Sequence, residues 1–272
     1  MKNYKNFITI SLLYFLVTAT VYFYHIGGDY YDYISNALYL IAPIVAVYFC
    51  YRLIKTFGSK IFDKKPTNFL FFGLSLWLVG EIFFIYSDLT GVLTYPSVAD
   101  ALYLLAYPLF MIAIFMELKT IGIQGNKIFQ ISLVGILFFI IYIIFRFYYH
   151  GDYSSENSLV ENIFNSLYVI GDGIIVFMGI LLIYLLYSIK NGIIFKPWLY
   201  ILIGLILNTI ADTLLTTYSS LYITKEQDLV NLDLIWIISY LAITFGFVLY
   251  INAIRKTQSE ISLKMKLGTY AT

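Results

Sequence analysis

The sequence predicts an all-α polytopic membrane protein, and composition, the placement of charge and an internal repeat each favour this fold class. Of the 272 residues, 61% are hydrophobic and 12% charged, whereas soluble domains are about half apolar and a quarter charged. Since one bilayer-spanning helix takes about 20 apolar residues, this composition supplies roughly eight spans. The same composition excludes a nucleic-acid binder, and the net charge of +1 gives no argument for a polyanionic partner. A single cysteine rules out an internal disulfide.

Continuous apolar runs separated by short polar clusters predict eight transmembrane helices. Barrel strands would be shorter and would alternate in polarity, so these runs are assigned to helices. The predicted spans are residues 7–25, 33–54, 67–88, 97–117, 128–148, 159–188, 197–218 and 230–253. The connections are short, so we expect a single membrane domain, 1–272, that ends in a short cytoplasmic tail, 254–272.

Basic residues predict the orientation of the helices. Fifteen of the 17 Lys and Arg residues lie on one side: before helix 1, in the loops after helices 2, 4 and 6 or at the end of helix 2 (Arg52), or after helix 8. Arg146 and Lys225 fall on the other side. Because short loops rich in Lys and Arg stay in the cytoplasm, both termini are expected there, in an integral multi-pass protein of the cell membrane.

Local signals refine two of the helices. Ser97 with Asp100 opens helix 4, and Ser158 with Glu161 opens helix 6, each pair at the spacing of a capping box. A Gly171-Asp172-Gly173 run interrupts helix 6, which is long for one straight crossing. This run predicts a broken helix with exposed backbone beside an acid near the middle of the membrane.

Helices 1–4 and 5–8 carry matching polar residues in the same order, which predicts two repeats, about 1–125 and 126–253. Glu81 on helix 3 and Asp212 on helix 7 each follow a glycine by eight residues. A second match joins the starts of helices 4 and 8, where Asp100, Tyr103 and Tyr107 correspond to Asp233, Trp236 and Tyr240. Four spans per copy is an even number, so the two copies are expected to be parallel.

Five carboxylates lie within or at the edge of the predicted spans: Glu81, Asp100, Asp172, Asp212 and Asp233. A charge at the centre of a bilayer costs roughly 2.5–3.5 kcal/mol, so these acids are expected to avoid lipid. No basic residue is expected inside a span, so protonation, hydrogen bonding or a bound cation must stabilise them. Helix capping explains Asp100 and Asp233 equally well, and hydrogen-bonded packing between helices is the main alternative for the other three.

Spacings of three, four and seven residues place these acids on helix faces that also carry aromatic residues, which predicts an outward-facing, acidic cavity with aromatic walls. The candidate ligand-binding residues are Glu81, Asp172, Asp212, Asp100, Tyr103, Tyr107, Asp233, Trp236 and Tyr240. A small or cationic ligand is expected, without a cofactor. The two histidines, His25 and His150, occupy matching outer ends; they are either a metal-binding or pH-sensing pair or simply interfacial residues.

The segment Pro-Ser-Val-Ala-Asp-Ala-Leu-Tyr-Leu-Leu-Ala-Tyr-Pro, residues 96–108, resembles a polytopic membrane sensory domain of prokaryotes. That domain precedes diguanylate cyclase, phosphodiesterase or histidine kinase modules, and its Pro-Ser-x-x-Asp-x-x-Tyr-Leu-x-x-Tyr-Pro stretch follows a span that holds an acid. The resemblance covers roughly residues 70–115. It implies a sensory role with Glu81, Asp100, Tyr103 and Tyr107 on the ligand side. No output domain fits into 254–272, so a stand-alone module that acts through a cytoplasmic signalling partner is expected.

Three functions remain open from the sequence. The favoured one is a stand-alone membrane sensory or ligand-binding module. The first alternative is a proton- or cation-coupled transporter of small solutes, which the parallel repeat and the interrupted helix 6 favour. The second is an intramembrane hydrolase of lipid headgroups that uses paired carboxylates as acid and base. Because HExxH, GxSxG, P-loop and GxGxxG motifs are all missing from the sequence, the enzyme is the less favoured.

Overall fold

The fold is known from a computed structural model that describes residues 2–57, 64–92, 94–120, 125–149, 157–188, 192–224 and 231–268. In these ranges the chain forms eight α-helices and no strand: α1 (Lys2–Tyr24), α2 (Tyr31–Thr56), α3 (Lys65–Thr90), α4 (Val98–Thr120), α5 (Gly125–Ile144), α6 (Leu159–Ser188), α7 (Phe195–Thr224) and α8 (Asn231–Gly268). A short 3₁₀ turn, Gly28–Tyr30, precedes α2, and a π-helical turn, Phe145–Tyr149, ends α5.

Seven of the eight helices are long and apolar enough to cross a membrane within the described residues. The exception is α5, whose described side chains begin at Gly135 and supply a shorter apolar stretch, Gly135–Phe147. The all-helical fold class is therefore confirmed, and the long apolar helices support a multi-pass membrane protein. An eighth crossing and the cytoplasmic placement of both termini stay predictions.

Local sequence signals explain where the helices begin and end. Both predicted capping boxes form: the Ser97 amide donates to Asp100 Oδ2 at 2.7 Å, and the Ser158 amide donates to Glu161 Oε2 at 2.6 Å. At its C-terminal end, α3 stops at Gly91. The φ of Gly91 is 69°, in the left-handed region that glycine adopts readily because it has no Cβ.

The predicted break in the sixth span is wrong, because α6 runs without interruption from Leu159 to Ser188. The two glycines instead let neighbouring helices approach closely. A Cβ on Gly171 would lie 2.8 Å from the ring of Tyr107 on α4, and a Cβ on Gly173 would lie 2.6 Å from the ring of Phe139 on α5. Small residues commonly serve this purpose where membrane helices touch.

Helix packing brings six helices around one interior. The most extensive contacts join α3 with α4 and α7 with α8, while α2 also packs against α8 and α4 against α6. Helix α1 contacts α2 and α8, and α5 contacts α6. These two helices leave large apolar side chains uncovered, with Leu13 63% and Phe138 69% exposed. Apolar surface on this scale suits lipid surroundings.

Helix α8 is longer than its predicted span, 230–253, because it continues as one helix to Gly268. The predicted tail therefore begins in helical form. Its exposed side chains include an i,i+4 pair, Lys256 and Glu260, with nitrogen and oxygen 3.9 Å apart.

Candidate functional site

A buried carboxylate, Glu81 of α3, is held by three tyrosine hydroxyls that come from three other helices. Tyr39 of α2 and Tyr240 of α8 donate to Oε1 at 2.9 and 3.0 Å, and Tyr103 of α4 donates to Oε2 at 3.0 Å. These four residues are the Glu81 cluster. A carboxylate has about four lone-pair sites, so the tyrosines occupy most of its accepting capacity and compensate for lost hydration.

Neighbours of Glu81 on α3 position the tyrosine rings. Gly80 leaves room for Tyr103, whose ring would come within 2.6 Å of a Cβ at that position. One turn earlier, the Trp77 ring lies edge-on to Tyr240, with ring centroids 6.2 Å apart, and 6.5 Å from the ring centroid of Tyr107. Trp77 therefore links the Glu81 cluster to a second group of acids.

The second group, the Asp172 cluster, consists of Asp172, Asp212, Tyr107, Trp236 and Arg146. Tyr107 donates to Asp172 Oδ1 at 2.5 Å, and Trp236 Nε1 donates to Asp212 Oδ1 at 2.9 Å. The two carboxylates lie within electrostatic range of each other, and the Tyr107 hydroxyl is also close to Asp212. The second oxygen of Asp172, Oδ2, is buried and has no hydrogen-bond partner among the described residues.

Arg146 is a site residue that the sequence reasoning missed. Its side chain is only 1% exposed, whereas the sequence led us to expect no basic residue beside the acids. Its Nη1 donates to the Tyr142 hydroxyl at 2.9 Å and to Thr213 Oγ1 at 2.7 Å. The guanidinium also lies within electrostatic range of Asp172 and Asp212. Its position inside the predicted span 128–148 was the available signal.

Asp100 forms the predicted helix cap and also a contact with a second helix. Its Oδ2 accepts the Ser97 capping bonds, while its Oδ1 accepts a hydrogen bond from the Tyr168 hydroxyl of α6 at 3.0 Å. Nearby, the Tyr95 hydroxyl donates to Asn165 Oδ1. Asp100 thus starts α4 and also ties it to α6.

Helix α8 carries three of the predicted site residues, Asp233, Trp236 and Tyr240, which do not all approach the same acid. Asp233 is half-buried in the first turn of α8, close to Tyr22 of α1 and within electrostatic range of Glu81. Further along α8, Trp236 reaches Asp212 and Tyr240 reaches Glu81.

All nine predicted ligand-binding residues therefore lie in or beside the two clusters, and Asp100 is joined to them through Tyr168, whose ring centroid lies 6.2 Å from that of Tyr107. Tyr39 and Tyr168 complete this network of hydrogen bonds and ring contacts but lie outside the predicted set. They occupy corresponding positions of the predicted repeat, near the starts of α2 and α6, and that correspondence is the signal that marks them.

The histidine pair proposed as a metal site is only partly described. His25 is exposed, and its ring centroid lies 4.7 Å from that of Tyr31, while His150 lies outside the described residues. Within the described part of the chain, no group of three or more His, Cys, Asp and Glu side chains is arranged to hold a metal ion.

Comparison of the chain with protein-family models, with curated proteins and with solved structures finds no match. The resemblance of residues 96–108 to a membrane sensory domain therefore stays a prediction.

Proposed function

We propose that the chain is a membrane sensory or ligand-binding module, with a small cation or a cationic molecule as its ligand. The observation that carries this proposal is a charge imbalance inside the bundle. Among the described side chains of the two clusters, the buried charged groups are two carboxylates and one guanidinium: Glu81, Asp172 and Arg146. Half-buried Asp212 adds a further acid beside Asp172. A cationic ligand would supply the missing positive charge.

The aromatic residues of the network suit the same ligand class. Trp77, Tyr107, Trp236 and Tyr240 all lie beside the acids, and cations bind favourably over the faces of such rings. The unpartnered Oδ2 of Asp172 is an acceptor within this aromatic surrounding. Acidic and aromatic groups together form the usual recognition chemistry for ammonium-type cations.

We also propose that the site lies between two parallel repeats, because corresponding contacts recur in both halves. Tyr240 crosses to Glu81 of the first half. Its counterpart Tyr107 crosses to Asp172 of the second half and also lies close to Asp212, the counterpart of Glu81. Close helix contacts also recur at the two corresponding glycines that precede Glu81 and Asp212 by eight residues. A Cβ on Gly73 would lie 2.5 Å from Phe110, and a Cβ on Gly204 would lie 2.5 Å from Ile243. A ligand bound at both clusters would report on the relative position of the halves.

Helix α8 offers a path for a signal. It carries Trp236 and Tyr240, one donor to each cluster, and continues without a break to Gly268. At about 1.5 Å per residue, the helix extends roughly 40 Å beyond Tyr240. A ligand that replaces the Tyr240 hydroxyl at Glu81 would release α8 from α3, and a cytoplasmic partner would sense the change at the far end.

Thermal unfolding with simple cations tests the proposal. Tetramethylammonium or methylammonium chloride is added to the purified protein, with sodium chloride at equal ionic strength as reference. At about ten times Kd, the ligand should raise the unfolding midpoint by about 3–6 °C. Glu81→Gln and Asp212→Asn should abolish this shift. Glu161→Gln, which removes a partly exposed acid at the start of α6 and outside both clusters, should keep it.

Two results would count against the site. If neither organic cation raises the midpoint above the sodium reference, the proposed ligand class is wrong. If Glu81→Gln and Asp212→Asn keep the full shift, the cation binds elsewhere and the acids serve helix packing.

Cation- or proton-coupled transport is the second candidate, because Asp172 and Asp212 lie together beside Arg146. Adjacent acids with one base are a common arrangement in proton relays of membrane proteins. The unbroken α6 removes one of the two arguments that favoured this function from the sequence. The hydrolase would be favoured only by turnover of lipid headgroups without solute flux.

A further inference from the structure

We propose a binding site for the phosphate group of an anionic phospholipid at the opposite, basic end of the bundle, where Arg52 and Arg255 face one pocket. This inference is independent of the proposed function. The pocket has a volume of about 250 Å³ and lies between α1, α2 and α8. Its lining residues are Phe7, Tyr48, Phe49, Arg52, Val248, Ile251, Asn252 and Arg255.

The pocket combines a polar and an apolar wall. Two guanidinium groups and the Asn252 amide supply hydrogen-bond donors, while two phenylalanines and two aliphatic residues supply the other side. None of the described residues that line the pocket is a carboxylate. The positive charge of the pocket therefore complements a phosphate, and its apolar wall suits an apolar group joined to that phosphate.

Arg52 is already oriented by its neighbour. Its Nη1 donates to the Tyr48 hydroxyl at 2.7 Å, and the guanidinium carbon lies 5.6 Å from the Tyr48 ring centroid. A guanidinium has five N–H donors in a planar fork that matches the geometry of phosphate. The contact with Tyr48 uses one donor and reduces the conformational entropy that binding would cost.

The apolar wall is a packed aromatic group. The Phe7 ring lies edge-on to Phe49 at 5.7 Å and stacks on Phe245 at 6.1 Å, measured between ring centroids. These contacts fix the start of α1 against α2 and α8. The pocket is therefore a built feature of the fold.

An exposed apolar stripe on α2 favours a lipid over a free phosphate ion. Ile41, Ile44 and Tyr48 are 41%, 49% and 48% exposed. Their spacing of three and four residues places them on one helix face that leads along α2 from Arg52. An acyl chain would lie along this stripe while its phosphate is bound by the arginines.

The predicted depth of the pocket agrees with a headgroup. Residues 7, 48–52 and 248–255 lie at the ends of the predicted spans 7–25, 33–54 and 230–253, on the side where Lys and Arg are concentrated. Basic pockets between helices on the cytoplasmic side of a membrane are typical sites for anionic headgroups.

Lipid titration followed by native mass spectrometry tests the site in the full-length protein. Dioctanoyl phosphatidylglycerol is titrated into the protein in detergent, and dioctanoyl phosphatidylcholine serves as the zwitterionic comparison. The double variant Arg52→Gln/Arg255→Gln should bind phosphatidylglycerol about 25-fold more weakly, since each arginine at an anionic headgroup contributes about fivefold. Phosphatidylcholine should bind wild type and variant equally weakly.

The chain offers a matched control on the same two helices. Lys55→Gln/Lys256→Gln removes the same charge from α2 and α8 outside the pocket, where Lys55 covers the Tyr51 ring and Lys256 pairs with Glu260. Its affinity for phosphatidylglycerol should fall by about twofold or less, because salt screens exposed charges that do not touch the lipid.

A measurement on the wild-type chain avoids dependence on the variants. A phosphatidylglycerol with a photoreactive group near its headgroup should crosslink to the segments that contain Phe7, Phe49 and Val248. Equal loss of binding in both double variants, or no loss in either, would overturn the site. Displacement of the lipid by an equal concentration of inorganic phosphate would overturn the assignment to a phospholipid.

Discussion

Glu81 shows how one acid is accommodated inside an apolar bundle. Its two oxygens accept three tyrosine hydroxyls from α2, α4 and α8, so the charge is surrounded by donors that no single helix supplies. Removing one tyrosine hydroxyl leaves the other two in place, so the free energy of unfolding should fall only modestly. Each tyrosine is thus a separate probe of the cluster.

Tyr39→Phe and Tyr103→Phe should each lower the free energy of unfolding by about 0.5–2 kcal/mol, because each removes one hydrogen bond to a buried acid. The control is Tyr86→Phe on α3, where the side chain is 66% exposed. It should change stability by less than about 0.5 kcal/mol. Reversible denaturation in detergent measures all three. Equal effects at Tyr39 and Tyr86 would show that the hydroxyl bond to Glu81 contributes nothing.

The sequence predicted the acids of the site better than their partners. Glu81, Asp172 and Asp212 stand out because a carboxylate in an apolar run is costly wherever the helix lies. Their donors depend on tertiary packing: Tyr240 reaches Glu81 across 159 residues of sequence. Arg146 was assigned to the outer side, and its burial depends on how the π-helical turn packs, which charge counting does not address.

At the scale of the element, α6 shows how a glycine pair can be misinterpreted. Gly171 and Gly173 flank Asp172, and the sequence alone fits either a break or a close contact. The structure has the contact, with Tyr107 against Gly171 and in reach of Asp172 Oδ1. Glycine at position 171 therefore helps to position the donor of that acid.

Gly171→Ala should destabilise the protein by about 1–3 kcal/mol, because the new Cβ would overlap the ring of buried Tyr107. Gly179→Ala on the same helix is the control, since the nearest atom to its Cβ is Leu202 Cδ2 at 3.6 Å. That variant should be neutral or stabilised by up to about 1 kcal/mol, the difference in helix propensity. Denaturation in detergent compares the two. If both variants unfold alike, Tyr107 does not depend on Gly171.

Helix boundaries were predicted within a few residues for most elements, because a long apolar run in a bilayer has to be helical. The capping boxes at α4 and α6 gave their starts. The extension of α8 past 253 was missed, since 254–268 is polar and carries no apolar run. Residues 254–268 are helical because α8 continues through them, and a search for apolar runs does not detect such a polar extension.

At the scale of the whole molecule, charge and chemistry divide between two ends. One end holds Glu81, Asp172 and Asp212 with their aromatic donors, and the other holds Arg52 and Arg255 around an apolar pocket. Helix α8 contributes to both, with Tyr240 at one end and Arg255 at the other. A net charge of +1 therefore conceals a polarised molecule.

We propose that the acids bind a cation without carrying it across the membrane. Proteoliposomes with radiolabelled tetramethylammonium test this most directly, because the ion is permanently charged and bound and entrapped label can be separated by opening the vesicles. We expect saturable retention by wild type that is lost in Glu81→Gln and Asp212→Asn, with no entry into the lumen above protein-free liposomes. Entry into the lumen that either variant abolishes would contradict the claim and identify a transporter.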